Sequence, residues 1–263
     1  MKIFTFKLNK EKIKQIPSNE RKFFFTIAHL ANEISALLKL YLWSSQYSPT
    51  NDAERDGQLT LKFISLSILA GKLREGQKFL WKYFDSTDLS KDYEPNLQKD
   101  GREALTKIRH YFKEYKSSFV NKIRNSLGFH YDPNALDKAF QEMPDDCILY
   151  LEPEGSVNNL YYFAEIIAIR AMLLEKGDLE NKSILLESFQ EIIDVARWFY
   201  KLAAALIAEF ARRYIDGIWD GIASEVELKN LKSMLDIQIS WFTDPTDAYT
   251  WLDKHISSED KGQ

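Results

Sequence analysis

The chain has 263 residues, of which 45% are hydrophobic, 28% charged and 14% aromatic. This composition is typical of a folded globular protein and excludes the disordered and fibrous classes. The net charge of −4, from 35 basic and 39 acidic side chains, gives the whole chain no attraction for nucleic acid, so any such attraction must be local.

The N-terminal part is predicted to form a short strand and three long helices. Residues 2–8 alternate apolar and polar side chains, which is the period of a strand. From Ser18 to about residue 47 apolar residues recur at helical spacing, and Ser18 or Asn19 is available as the helix cap. A second helix is expected over 59–84 and a third from near Gly101, with a polar connection between them.

The C-terminal part is predicted to be helical except for one small strand. Its expected elements are a short helix from Pro133 to about 142, a strand over 147–151, a buried central helix over 158–176, a long helix over 183–216, and helices near 224–240 and 245–256. Ser224 and Glu227 have the spacing of a capping box at a helix start. We therefore expect an all-α fold, an up-and-down helical bundle with at most a minor pair of short strands.

Three features of the sequence predict a cytoplasmic protein. Cys147 is the single cysteine and forms no intrachain disulfide, which fits a reducing compartment. The N-terminus lacks the uninterrupted apolar run of a secretory signal. Charged residues interrupt or closely flank the longest apolar stretches, so no membrane-spanning helix is expected.

The third predicted helix combines an apolar stripe with a basic ridge. Placed at roughly 100° per residue, the stripe consists of Leu105, Ile108, Phe112, Tyr115, Phe119 and Ile123. The basic ridge beside it consists of Arg102, Arg109, Lys113, Lys116 and Arg124. Phosphate is a natural ligand for such a ridge, so the first four are candidate RNA-binding residues. The alternative is that these side chains only solvate an exposed helix face.

The segment IRNSLGFHYDP, residues 123–133, carries side chains suited to chemistry on phosphate. Arg124 offers a forked grip on a phosphate oxygen, and His130, in the last turn of a helix, suits proton transfer near neutral pH. Their spacing corresponds to about 120° on an unbroken helix, so they need help to face one site. A distortion at Gly128, helix termination before Pro133, or a second copy across a twofold axis would supply it.

Together Arg124 and His130 have the chemistry to cleave RNA without a metal. His130 would move protons to and from the ribose 2′-hydroxyl or the leaving oxygen, while Arg124 stabilises the charged phosphorane. The alternative is that His130 is a structural histidine at a helix end. Catalysis requires both side chains to converge in an exposed cleft, whereas a structural role buries or disperses them.

Arg124, Asn125 and His130 resemble the Arg-x(4–6)-His motif of the HEPN superfamily (higher eukaryotes and prokaryotes nucleotide-binding). The segment is most similar to members of the abortive-infection and toxin type. The resemblance implies a helical, homodimeric, metal-independent endoribonuclease with a composite active site, in which Asn125 orients the catalytic pair or the phosphate. It also implies RNA or a nucleotide as ligand, a role in phage defence or as a toxin, and a cognate antitoxin as partner.

The resemblance is sharp over about ten residues and extends in helical layout from about 20 to 140. It implies an HEPN-like helical core over 1–145 that carries the Arg-x5-His motif. Residues 146–263 are then a helical extension packed on that core as one continuous structural unit. Two other functions stay open: a non-catalytic module that binds a nucleotide, RNA or a protein, and a structural helical protein in which the motif is coincidental.

The remaining chemical side chains have ordinary structural explanations. They are the histidines His29, His110 and His255, the acidic residues Glu142, Asp145 and Asp146, and the aromatic residues Trp198 and Phe199. No metal site is predicted, because the acidic cluster lacks histidine partners. No cofactor is predicted either, because the sequence has no Gly-rich phosphate loop and no dinucleotide fingerprint.

Overall fold

The computed structural model describes residues 1–5, 10–114, 118–123, 133–143, 147–153, 158–173, 182–214 and 224–243. Most of these residues are in helices. In chain order the helices are α1 (Lys10–Gln15), α2 (Ser18–Gln46), α3 (Asp52–Leu80), α4 (Asp88–Tyr93), α5 (Lys99–Glu114), α6 (Phe119–Ile123), α7 (Pro133–Gln141), α8 (Tyr162–Leu173) and α9 (Lys182–Tyr214). The strands β1 (Lys2–Thr5) and β2 (Ser224–Glu227) form an antiparallel pair. The prediction of an all-α fold with a minor pair of short strands is confirmed.

The helices α2 and α3 form a long antiparallel hairpin, and each buries one face in the core. On α2 the buried residues Phe23, Ile27, Leu30 and Ile34 recur at helical spacing and define its inner face. α3 begins seven residues earlier than predicted because the Asn51 side chain accepts a hydrogen bond from the Glu54 N–H at 2.9 Å. This cap satisfies a backbone donor that the first turn leaves free, so the helix starts directly after it. The predicted cap of α2 is different, since Pro17 occupies that position without a side-chain cap.

The helix α9 lies at the centre of the bundle and contacts α2, α3, α5 and α6. Its buried residues follow one face over about six turns and include Ile192, Phe199 and Leu206. α5 approaches this face closely at Gly101, where a Cβ atom would collide with the Cβ atom of Ala205. The glycine therefore marks a close helix contact inside α5, and the helix begins at Lys99.

The connection between α3 and α5, which was predicted to be polar, contains three short helical pieces. A π-helical turn over Trp81–Asp85 follows α3 directly, and then come α4 and a 3-10 turn over Glu94–Asn96. The Ser86 N–H donates to the Trp81 carbonyl at 3.1 Å, which closes the wider π-helical turn. Phe84 in this turn is fully buried, so the connection is anchored in the core.

The predicted helix over 224–240 is wrong. Residues Ser224–Glu227 form β2, which pairs with β1 in the register Lys2 to Glu227 and Thr5 to Ser224. The backbone partners that β1 supplies outweigh the local capping-box signal, because tertiary pairing overrides a weak local propensity. Beyond β2 the regular structure is a 3-10 turn at Met234–Asp236. The predicted helix over 245–256 lies outside the described residues.

The segment after β2 runs past the end of α2 and the start of α3 and is held there by Gln58. The buried Gln58 amide donates to the carbonyls of Ser44 and Ile239, both at 2.8 Å, and accepts from the Trp241 N–H at 3.2 Å. Gly57 provides the space, since a Cβ atom there would lie 2.7 Å from Trp241 Cβ. Hydrogen bonds therefore hold this segment in an extended conformation where a helix was expected.

The predicted strand over 147–151 is reduced to one isolated bridge between Tyr150 and Leu160. The Tyr150 hydroxyl donates to the buried Asp56 carboxylate at 2.8 Å, which ties this region to α3. α8 follows, and its buried residues lie at its C-terminal end, beginning at Ile169. Its first two turns are half-exposed, so the central position expected for this helix belongs to α9.

By length and composition alone, α2 is apolar enough to cross a membrane, and it lies near the N-terminus. A core helix of a water-soluble protein and a signal sequence meet the same criterion. In this fold Ile27 and Ile34 of α2 are buried among the helices that pack on it. One such helix in the described part of the chain carries little weight for or against a membrane.

Candidate nucleic-acid interface

The helix α5 carries the described members of the predicted basic ridge. It forms because Leu105, Ile108 and Phe112 recur on one face and are buried against α9. Asp100 in the first turn and Lys113 in the last turn have the signs that the helix dipole favours. The predicted stripe is confirmed at these three positions. Phe119 and Ile123 are also buried, but they lie on the separate helix α6 and not on one continuous third helix, and Tyr115 lies outside the described residues.

Arg109 has its guanidinium engaged inside the protein. Its two terminal nitrogens bind the Glu94 carboxylate in a forked arrangement, each at 2.9 Å. Its Nε and Nη2 atoms also donate to Asp85 Oδ1 at 3.1 and 2.6 Å. A phosphate would have to compete with both carboxylates, so the structure gives this residue a role in joining α5 to the segment before it.

Arg102 and Lys113 lie at the two ends of the described ridge. Arg102 is exposed, and its Nη1 atom donates to the Leu97 carbonyl at 2.6 Å. Lys113 is exposed at the end of α5. Lys116, the fourth predicted member of the ridge, lies outside the described residues. The structure therefore leaves Arg102 and Lys113 more accessible to phosphate than Arg109.

The predicted catalytic residues Arg124, Asn125 and His130 all lie outside the described residues. The structure does describe the helix directly before them, α6, and the helix that follows, α7 from Pro133. α6 is packed against α3 and α9, and its residues Phe119, Val120 and Ile123 are buried. The motif thus begins at the residue that follows a fixed, buried helix.

A carboxylate of α9 holds the start of α6. The Phe119 N–H donates to Glu191 Oε1 at 2.9 Å, and the Tyr111 hydroxyl at the end of α5 donates to the same oxygen. A free N–H at a helix start is a favourable partner for a carboxylate, because the helix dipole attracts negative charge. Burial, and then the charge of Glu191, raise the pKa of Tyr111 above its ordinary value, so the phenol stays protonated as a donor.

Sequence reasoning missed Glu191 and also Trp81. Glu191 lies more than 60 residues from the motif in a helix full of charged residues, so no local pattern reveals its role. Trp81 lies within the helix predicted over 59–84, yet 64% of its surface is exposed and it lines a cleft with Arg109 and Lys113. An unusual tryptophan among lysines, in the sequence LWKYF, was the one signal available.

The remaining candidate side chains show no catalytic arrangement in the described part of the chain. His29 is exposed on α2, with its Nε2 atom 3.5 Å from Glu33, and Glu33 also binds Lys72. His110 is exposed on α5, and Glu142 is exposed after α7. His255, Asp145 and Asp146 lie outside the described residues. No group of three or more His, Cys, Asp or Glu side chains suited to a metal ion occurs among the residues described.

A larger cleft, of about 810 Å³, opens between the first turns of α2 and the π-helical turn. Its walls include the aromatic rings of Phe23, Phe79 and Tyr83, with Lys22 as the cation. None of the described residues that line it is a His, Cys, Asp or Glu. The described lining of this cleft therefore has no acid–base pair, and the cleft is better suited to binding than to catalysis.

Comparison with known proteins gives one remote similarity. No protein-family model matches the chain, and no solved structure matches it. The chain is similar to a trehalase from Bombyx mori, with 27% identity over 205 residues that cover 69% of this chain and 34% of that protein. The chain thus spans about a third of the length of this relative. That similarity is too low to assign a family, and it bears neither on the ribonuclease hypothesis nor on the binding-module hypothesis.

Proposed function

We propose that the protein is an HEPN-like, metal-independent endoribonuclease that acts as a homodimer in the cytoplasm, as a toxin or phage-defence component. The observation that carries the proposal is the Arg124-x5-His130 motif, which directly follows a core helix of an all-α fold. The packing of α6 on α3 and α9 supports the proposal. A catalytic arginine must be held in place to reach a phosphate, and Arg124 directly follows this buried helix.

The chemistry follows from the two side chains. His130 accepts the proton of the ribose 2′-hydroxyl, whose oxygen attacks the adjacent phosphorus and displaces the 5′-oxygen of the next nucleotide. The protonated His130 then gives its proton to that leaving oxygen, which becomes a hydroxyl. Arg124 neutralises the charge that develops on the phosphorane, and Asn125 orients the pair or the phosphate. The products are a 2′,3′-cyclic phosphate and a 5′-hydroxyl, and no step requires a metal ion.

The test is cleavage of a mixed RNA pool by the purified chain in EDTA. Wild type should produce 2′,3′-cyclic phosphate ends, and His130→Ala and Arg124→Ala should each lose this activity while remaining folded. The matched controls are His29→Ala and Arg197→Ala, since both residues are exposed on other helices. Controls that lose activity together with the motif variants, or wild type that cleaves no RNA, would refute the ribonuclease proposal. RNA binding without cleavage would then favour a non-catalytic module.

A further inference from the structure

The cleft beside the basic ridge holds an exposed aromatic ring, Trp81, and an exposed cation, Lys113. It has a volume of about 300 Å³ and lies between the end of α3, the π-helical turn and α5. Leu105, Ile108 and Phe112 form its apolar floor, while Trp81 and Lys113 stand at its edge. An apolar floor with a polar edge is the usual form of a site for a small planar group.

Trp81 is the unusual feature of this cleft. Tryptophan is highly buried on average, but 64% of this side chain is exposed. The π-helical turn begins at Trp81, and both the Ser86 N–H, at 3.1 Å, and the Ser86 hydroxyl, at 2.7 Å, donate to its carbonyl. π-helical turns are rare and often occur at functional sites. The backbone of Trp81 is thus fixed by local hydrogen bonds while its ring stays accessible.

The cleft has one exposed cation for an anion to bind. Its charged lining residues are Asp85, Arg109 and Lys113. The Arg109 guanidinium is neutralised by Asp85 and by Glu94, so the exposed Lys113 is the cation of this lining that stays accessible. The Arg74 guanidinium lies over the Phe112 ring of the floor, 5.7 Å from the centroid, and adds positive potential nearby. The exposed ammonium of Lys113 is therefore positioned to bind a phosphate beside the ring.

From this geometry we infer that Trp81 and Lys113 form a binding subsite for one unpaired nucleotide of single-stranded RNA. The base stacks on the indole ring of Trp81, and the adjacent phosphate binds Lys113. Stacking on an aromatic side chain next to a cation is the general way in which proteins hold single strands, and it depends little on sequence. The inference rests on the proposed function, because it assigns RNA as the ligand, and it adds a subsite outside the motif.

The test measures binding of a labelled oligouridylate to full-length His130→Ala protein, so that cleavage does not interfere. Trp81→Ala should weaken binding about tenfold, as expected for the loss of one stacked base, and Trp81→Phe should weaken it less. Tyr200→Ala is the control, because Tyr200 is an exposed aromatic residue on another helix, α9. An oligonucleotide with abasic sites should bind wild type and Trp81→Ala equally.

The cation is tested in the same assay. Lys113→Ala should weaken binding and reduce the slope of affinity against salt by about one ion, whereas Lys99→Ala, at the other end of α5, should change neither. Unchanged binding in both Trp81→Ala and Lys113→Ala would overturn the subsite, even if wild type cleaves RNA. If these variants lose binding but wild type does not cleave RNA, the subsite proposal stands and the ribonuclease proposal is refuted. A wild type that binds no oligonucleotide would refute both.

Discussion

Glu191 on α9 and Phe119, the first residue of α6, are joined by a hydrogen bond of 2.9 Å from the Phe119 N–H to the Glu191 Oε1 atom. The Tyr111 hydroxyl donates to the same oxygen, so one carboxylate connects the end of α5, the start of α6 and the central helix. Because Arg124 directly follows α6, this contact fixes the backbone from which the motif begins. It makes Glu191 a positioning residue for the proposed reaction.

Glu191→Ala should lower the free energy of unfolding by about 1–3 kcal/mol, because it leaves the buried Phe119 N–H without this acceptor. The rate of RNA cleavage by Glu191→Ala should fall by more than the loss of folded protein explains. Glu191→Gln retains an acceptor oxygen and should keep part of the cleavage activity. Urea unfolding and the cleavage assay in EDTA measure the two effects. Glu187→Ala is the control, since Glu187 is exposed one turn earlier on α9. Equal effects of Glu187→Ala and Glu191→Ala would contradict the positioning role.

The helices were predictable because their apolar residues recur at a fixed period, as Ile192, Phe199 and Leu206 do on α9. The strand β2 was not, because it exists through its pairing with β1 more than 200 residues earlier. Likewise, Gln58 gives no local sign that its amide holds Trp241 in place. Contacts of this kind depend on which surfaces the tertiary fold brings together, and a local pattern carries no such information.

The candidate site shows the same division. The charge of Arg109 and its place on the helix wheel were readable from the sequence, but its engagement by Asp85 and Glu94 was not. Those carboxylates come from the π-helical turn and the 3-10 turn, which the sequence presented as a polar connection. A helix wheel predicts which side chains share a face. Whether such a side chain is free to bind a ligand depends on the residues that neighbouring elements place beside it.

Arg109 should contribute to stability through its forked ion pairs. Arg109→Ala should lower the free energy of unfolding by about 1–2 kcal/mol, a range reduced for the partial exposure of the group. Arg109→Lys should recover only part of this, because an ammonium cannot reproduce the fork. A double-mutant cycle with Asp85→Ala should give a clear coupling energy, while the exposed pair Lys91 and Asp88 should give a much smaller one. Equal coupling in the two pairs would show that Arg109 is an ordinary surface cation.

Tyr150 should make the stability of the protein sensitive to alkaline pH. Burial, and then the hydrogen bond to Asp56, raise the pKa of Tyr150 to about 12 from its ordinary value of 10.0. A phenol whose pKa is raised by folding contributes stability that is complete below pH 10 and is lost as the pH rises toward 12. Tyr150→Phe should therefore be less stable than wild type at neutral pH, by about 1 kcal/mol.

The difference between Tyr150→Phe and wild type should shrink between pH 10 and 12. Urea unfolding at a series of pH values measures it, and tyrosinate absorbance follows the phenols directly. Tyr161→Phe is the control, since Tyr161 is an exposed tyrosine in the same region. A stability difference for Tyr150→Phe that stays constant over this range would show that Tyr150 does not titrate with the expected pKa.

The proposed homodimer has a composite active site, in which Arg124 and His130 of different protomers meet. If the two side chains of one site come from different protomers, Arg124→Ala and His130→Ala, each inactive alone, should regain activity when they are unfolded and refolded together. A mixed dimer holds one site with both intact side chains and one with neither. With equal amounts and random pairing half the dimers are mixed, so the mixture should reach about a quarter of wild-type activity. If each protomer instead holds its own complete site, the mixture stays inactive, and mixing Arg124→Ala with the double variant provides the background.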